Sequence, residues 1–156
     1  MDMSKVTYND LFYTGSLIEY IGRETKNRRC DVAKKIGVDG FRRLLYLAEV
    51  NHCLSFKQVG EETVEEFGIT NGTFDTISTC KYKVPRFKDI GAVYARLVFQ
   101  TEPDPEKYPQ AMYDVFVSEI SDCISDFNSA WFYTPSNQLA VEYMEDFCGK
   151  SLDRRK

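Results

Sequence analysis

Helical periodicity governs this sequence. Apolar residues recur at three- and four-residue intervals in segment after segment, with polar residues on the opposite faces, the signature of amphipathic α-helices. In the first segment Leu11, Leu17, Ile18 and Ile21 form a stripe, while Ser16, Glu19 and Arg23 fall opposite it. Gly15 and Gly22 lie seven apart on one flank, where a neighbouring element can come close. This predicts a helix from about Asn9 to Lys26. A short helix over 30–36 should stop at Gly37, which can take the conformation of a helix end. The next starts after Asp39 as N-cap, turns Phe41, Leu44, Leu45 and Ala48 inward and Arg42, Arg43 and Glu49 outward, and ends near Asn51.

Ser55 and Gln58 have the spacing of a capping box, so a helix should run from there to Phe67, with Gly68 closing it and Glu61, Glu62, Glu65 and Glu66 on its outer side. The stretch 69–86 mixes a helical turn with an extended piece, and its sequence does not decide between them. A buried helix over 87–99 precedes a loop at 101–109 that three prolines interrupt. Pro109 suits the first turn of one long helix to Phe127, with Met112, Phe116, Ile120, Cys123, Ile124 and Phe127 on one face and Asp114, Ser118, Ser121, Asp122 and Ser125 on the other. An aromatic connector at 131–134 leads to a last helix, capped by Ser136, with Leu139, Tyr143, Met144 and Phe147 inward and Gly149 at its end.

The expected architecture is therefore all-α: a single-domain irregular bundle of about six to eight helices over 1–150, followed by a basic tail at 151–156. A chain of 156 residues, 43% hydrophobic, is long enough to bury a core without disulfide or metal staples. Leu44, Leu45, Ile90, Tyr94, Leu97, Phe116, Ile120 and Phe127 should lie in that core. Five cysteines, an odd number with no CxxC spacing, read as reduced thiols. With no apolar run of about 18 residues and no leader-like start, the expected location is the cytoplasm, without membrane contact.

Charge is distributed unevenly. Between Ile21 and Arg43 eight basic residues stand against three acidic ones, whereas between Thr101 and Cys148 ten acidic residues stand against Lys107 alone. Such polarity steers a charged partner, is cancelled where the two regions face each other, or amounts to two ordinary solvated surfaces. The basic set, with Arg28, Arg29, Lys34, Lys35, Arg42 and Arg43, is one candidate partner-binding face. Tyr46, Phe99, Tyr108, Trp131 and Tyr133 fall off the inward stripes or in loops, and Trp131 and Tyr133 are the second candidate anchors, since aromatic residues concentrate in interfaces.

Catalytic signatures are missing from the sequence. No GxSxG, Walker A, dinucleotide fingerprint or HExxH occurs, so neither a catalytic residue nor a cofactor is expected. His52, the only histidine, adjoins Cys53, but neighbours on a helix point about 100° apart, and a working pair would be assembled across the fold. Glu119, Asp122 and Asp126 share a helix face, which reads as a cation site or as a solvated acidic surface.

A helix-turn-helix is the sharpest alternative. VAKKIGVDGFRRLL has Ala33, Gly37 and Val38 in place, but its second anchor position holds Arg43 rather than an apolar residue. TVEEFGITNGTFDTI fits the offsets better through Gly68, Ile69, Phe74 and Ile77, yet is acidic where phosphates would have to be met. DNA binding, if present, would run through Lys34, Lys35, Arg42 and Arg43.

Read together, LIEYIGRETKNRRCDVAKKIG, LAEVNHCLSFKQVGEE, GTFDTISTCKYKVPRFKDIGAVYARLV and FNSAWFYTPSNQLAVEYM resemble a group of small bacterial α-helical proteins with a domain of unknown function. Some similar domains occur beside ADP-ribosyltransferase-like toxin genes. The resemblance implies an antitoxin-like or accessory subunit and carries over no catalytic residue. The expected function is a non-enzymatic protein-protein interaction module whose partner is another protein.

Overall fold

The computed structural model describes residues 1–148. They form α1 (Tyr8–Thr25), α2 (Arg29–Asn51), α3 (Phe56–Phe67), α4 (Phe87–Thr101), α5 (Tyr108–Val117), α6 (Ile120–Ser125) and α7 (Ser136–Glu142). Single 3-10 turns at Pro105–Lys107 and Trp131–Tyr133 and a π turn at Tyr143–Phe147 complete the helical structure. The fold is an all-α bundle, and among the described residues no helix is long and apolar enough to cross a membrane. The helix end expected at Gly149 and the tail 151–156 lie outside the described residues.

Local chemistry sets most of the boundaries. The Asp10 carboxylate accepts the Thr7 N–H at 2.8 Å and closes the first turn of α1. Ser55 Oγ accepts the Gln58 N–H at 3.1 Å, so the predicted cap starts α3, and Gly68, at φ 63° and ψ 40°, ends it. Before α4 the Asp89 carboxylate accepts the Arg86 N–H and its guanidinium.

α1 occupies the middle. α4 runs antiparallel along one side of it, α2 along another and α3 along a third, while α5 packs on α2. All eight residues expected in the core are buried. At its centre Phe41, Phe116 and Tyr94 stack in series, with centroids 5.9 and 4.1 Å apart. The small flank of α1 permits a close crossing: a Cβ placed on Gly15 would stand 3.0 Å from the Gly91 carbonyl oxygen of α4.

Several expectations are corrected. The break expected at Gly37 is there, at a φ of 71° with ψ of 170° that is open to glycine and strained for other residues, and it divides α2 into two helical pieces, but the second piece starts directly after Gly37 and Asp39 is not its cap. The single long helix expected from Pro109 to Phe127 is two, because Ser118 leaves helical geometry at ψ 165°. Its hydroxyl donates to the Val115 carbonyl and the Ser121 hydroxyl donates to the Ser118 carbonyl, so serine side chains satisfy the groups that the broken helix releases. Ser118, Ser121 and Ser125, read as outward, are buried, as are Ser16 and Glu19 of α1. Met144, read as inward, is exposed, and Ser136 is the first residue of α7 rather than its cap.

Residues 69–86 contain no helix. They are held by backbone bonds from Gly72 N–H to the Thr25 carbonyl and from Phe74 N–H to the Lys26 carbonyl, at 2.8 and 2.9 Å. Farther on, the Asn128 amide grips the same segment, donating to the Thr79 carbonyl and accepting the Lys81 N–H. Phe74 and Ile77 therefore sit on no recognition helix, and the better-fitting helix-turn-helix offsets are a coincidence of spacing.

Candidate functional site

The basic stretch meets the acidic one within the same chain, through pairs at its surface. α2 and the α5–α6 pair lie against each other, so Arg28 pairs with Asp122, and Arg42 Nη1 stands 3.7 Å from Glu106 Oε2. Arg43 pairs with Glu66 of α3, its guanidinium 5.4 Å from the centre of the Phe67 ring. Lys35 is exposed and Lys34 half-buried. The polarity seen in the sequence is thus spent largely on internal pairs, each worth about 1 kcal/mol or less at such exposure.

Arg29 departs furthest from expectation. It was a candidate for partner contact, but it is buried, and its Nε and Nη2 donate to the two carboxylate oxygens of Glu19 at 2.8 and 2.9 Å. Arg23 Nε adds a third bond to Glu19 at 2.7 Å, while its Nη2 donates to the Pro85 carbonyl. This cluster of one carboxylate and two guanidiniums joins α1, the start of α2 and the approach to α4. A carboxylate with its lone pairs so filled is a structural tie rather than a base awaiting substrate.

The aromatic candidates divide. Trp131 is half-buried, edge-on to Phe147 at 5.7 Å, and so wedges its connector onto the bundle. Tyr133 is 65% exposed. A larger apolar surface lies where the sequence singled out only Tyr46. On the outer side of the last turns of α2 and the turn beyond, Tyr46, Leu47, Val50 and Leu54 are 51, 36, 66 and 40% exposed. Spacings of one and four place Tyr46, Leu47 and Val50 on one flank of α2, opposite the inward Phe41, Leu44, Leu45 and Ala48, and Leu54 follows in the turn beyond the helix.

Around the other edge of that helix end lies a groove of about 620 Å³. Phe12 and Tyr13 of α1 and Phe56 of α3 line it, the Tyr13 and Phe56 rings stacked 5.0 Å apart. Lys5, His52 and Lys88 reach it from three separate parts of the chain, along with Asp10 and Glu49. Burial pushes the Tyr13 hydroxyl up to about 12, so it stays protonated and donates to the Asn51 carbonyl at 3.3 Å. Cys53 is exposed and does not line the groove, so no Cys-His pair is assembled there.

Among the described residues no three His, Cys, Asp or Glu side chains are grouped to hold a metal. Duplex DNA offers a direct test of the basic stretch. With three of its four proposed phosphate contacts at α2 either internally paired or half-buried, the expected result is no saturable binding at about 50 mM salt, where counterion release favours binding most. Fluorescence anisotropy showing tight binding with a steep negative salt slope would reverse that assignment. Comparison with protein-family models, with curated proteins and with solved structures gives no match to this chain.

Proposed function

We propose that this chain is a non-enzymatic protein-interaction module whose docking surface is the outer face of the C-terminal part of α2. The observation that carries the reading is the exposure of Tyr46, Leu47 and Val50 on one flank of a helix whose opposite flank already supplies the core, with Leu54 exposed in the turn that follows. Clustered large apolar side chains on a surface cost solubility and are kept where a partner covers them. A tyrosine beside branched aliphatics has the composition of an interface centre, with Arg42 and Arg43 at its polar rim. The partner surface that fits is apolar, a groove or helix face presenting its own aliphatic side chains. A toxin-like protein encoded nearby is the partner implied by the sequence resemblance.

Val50→Glu places a carboxylate in the centre of that surface, and burying an unpaired charge should weaken a complex by at least about 3 kcal/mol, more than a hundredfold in affinity. Arg42→Glu with Arg43→Glu alters the rim and should change affinity by less than about tenfold. Coexpression with each neighbouring gene product, followed by size-exclusion chromatography with light scattering, reads both effects. The expected result is a stoichiometric complex lost in Val50→Glu and kept in the double charge reversal. A complex indifferent to Val50→Glu, or no complex with any neighbour, overturns the reading.

A further inference from the structure

We propose that the groove between the start of α1, the end of α2 and the start of α3 binds a planar aromatic monoanion, an aryl carboxylate. Its volume, about 620 Å³, lies in the range of small-molecule sites. The lining supplies both halves of such a ligand's chemistry. Phe12, Tyr13 and Phe56 give an aromatic lining for a flat apolar body, with the Tyr13 and Phe56 rings held in place by stacking on each other.

Charge then selects the head group. Lys5 comes from the segment before α1, His52 from the turn after α2, and Lys88 from the first turn of α4, its ammonium 5.5 Å from the centre of the Phe56 ring. Three cationic or proton-donating groups from three elements converge beside the aromatic wall. Of the two carboxylates at the groove, Asp10 is engaged in closing α1 through Thr7, while Glu49 is exposed at the rim. Glu49 sets a limit on ligand charge: one anionic group can be shared among the lysines, and a second meets like charge. Aryl carboxylates are accordingly favoured over phosphates and nucleotides.

The single histidine makes the site visible, because its imidazole C–H signals are unique in a proton NMR spectrum of the whole chain. Titration with 1-naphthoate should move the His52 signals saturably, with one site per chain. The uncharged 1-naphthalenemethanol should bind at least about tenfold more weakly, as should the acid to the Lys5→Glu, Lys88→Glu double variant, whose two exposed positions leave the core untouched. Inorganic phosphate should not compete. Val50→Glu, outside this groove, should leave the titration unchanged, which separates this site from the docking surface on α2. Silent His52 signals at high naphthoate, equal binding of the alcohol, full affinity in the double lysine variant, or loss of binding in Val50→Glu would each overturn the assignment.

Discussion

Glu19→Gln should destabilise the chain by about 3–5 kcal/mol, the cost of removing one partner from a buried ion pair. The substitution keeps the volume of the side chain and removes only its charge, leaving the buried guanidinium of Arg29 and the half-buried one of Arg23 facing a neutral amide. Arg29→Met should cost less, about 1–3 kcal/mol, because Glu19 keeps Arg23 as partner and methionine refills the stem volume. That order, carboxylate worse than guanidinium, follows from two cations sharing one anion.

The same cluster predicts a pH dependence. Burial alone would raise the Glu19 carboxyl, but Arg29 and then Arg23 outweigh it and hold the group below the ordinary glutamate range. A carboxyl depressed in the folded state contributes stability that is complete above its unfolded value and is lost as pH falls through the folded one. Urea melts between about pH 5 and pH 3 should therefore show the wild-type chain losing stability faster than Glu19→Gln. Parallel loss in the two would mean that the carboxylate is not held by the arginines.

Helices with ordinary surroundings were legible from the residues alone. α3 and α4 each keep one face in water, so periodicity reports their orientation, and Ser55, Gly68 and the prolines mark their neighbourhoods by local chemistry that tertiary packing does not override. α1 is different because neighbours press on three sides of it. Its polar positions then no longer mean exposure, and Glu19 with Arg23, an (i, i+4) pair that looks like surface decoration, is turned inward by Arg29 ten residues on. The signal for this was present in Thr14, Gly15, Ser16 and Gly22, small residues on several faces of one helix, all of them buried. Ser118 misled for a related reason: helical periodicity continues across the break, since a side-chain hydroxyl rather than a proline or glycine ends α5.

The candidate sites depended on facts of a different kind. Sequence gives the sign of a charged stretch but not what it faces: Arg28 and Arg42, candidates for a partner-binding face, meet Asp122 and Glu106 of the acidic stretch, and Arg43 meets Glu66 of α3. The groove around His52 gathers residues from Lys5 to Lys88 in four separate stretches of chain, a juxtaposition that no local pattern encodes. Tyr46 was visible as an aromatic off the inward stripe. Leu47 and Val50 beside it were not, because an exposed aliphatic next to core positions on the same helix only stands out once the helix has been turned to its true orientation.

Gly91→Ala provides the second large expected effect, a loss of about 2–3 kcal/mol, toward the upper end of what overpacking costs. For a chain of this length that is a fall in melting temperature of roughly 4–12 °C. Exchange of glycine for alanine inside a helix ordinarily gains about 1 kcal/mol, so even an unchanged melting temperature would reveal a hidden cost. The clash is with backbone: a Cβ at position 91 would stand 2.6 Å from Ser16 N and 2.7 Å from Ser16 Cα, as well as 2.0 Å from Ser16 Oγ. Rotating the serine side chain relieves only the last of these, and it gives up the 2.7 Å bond from Ser16 Oγ to the Phe12 carbonyl. α4 must therefore move away from α1, and because Ile90 and Tyr94 flank the crossing, the shift opens the core on both sides of it. Adding Ser16→Gly to Gly91→Ala removes the hydroxyl and leaves both backbone clashes, so it should recover less than half of the lost stability. Full recovery would show that the side chain alone sets the separation of α1 and α4, and a rise in melting temperature in the single variant would show that the two helices do not cross as closely as their glycines allow.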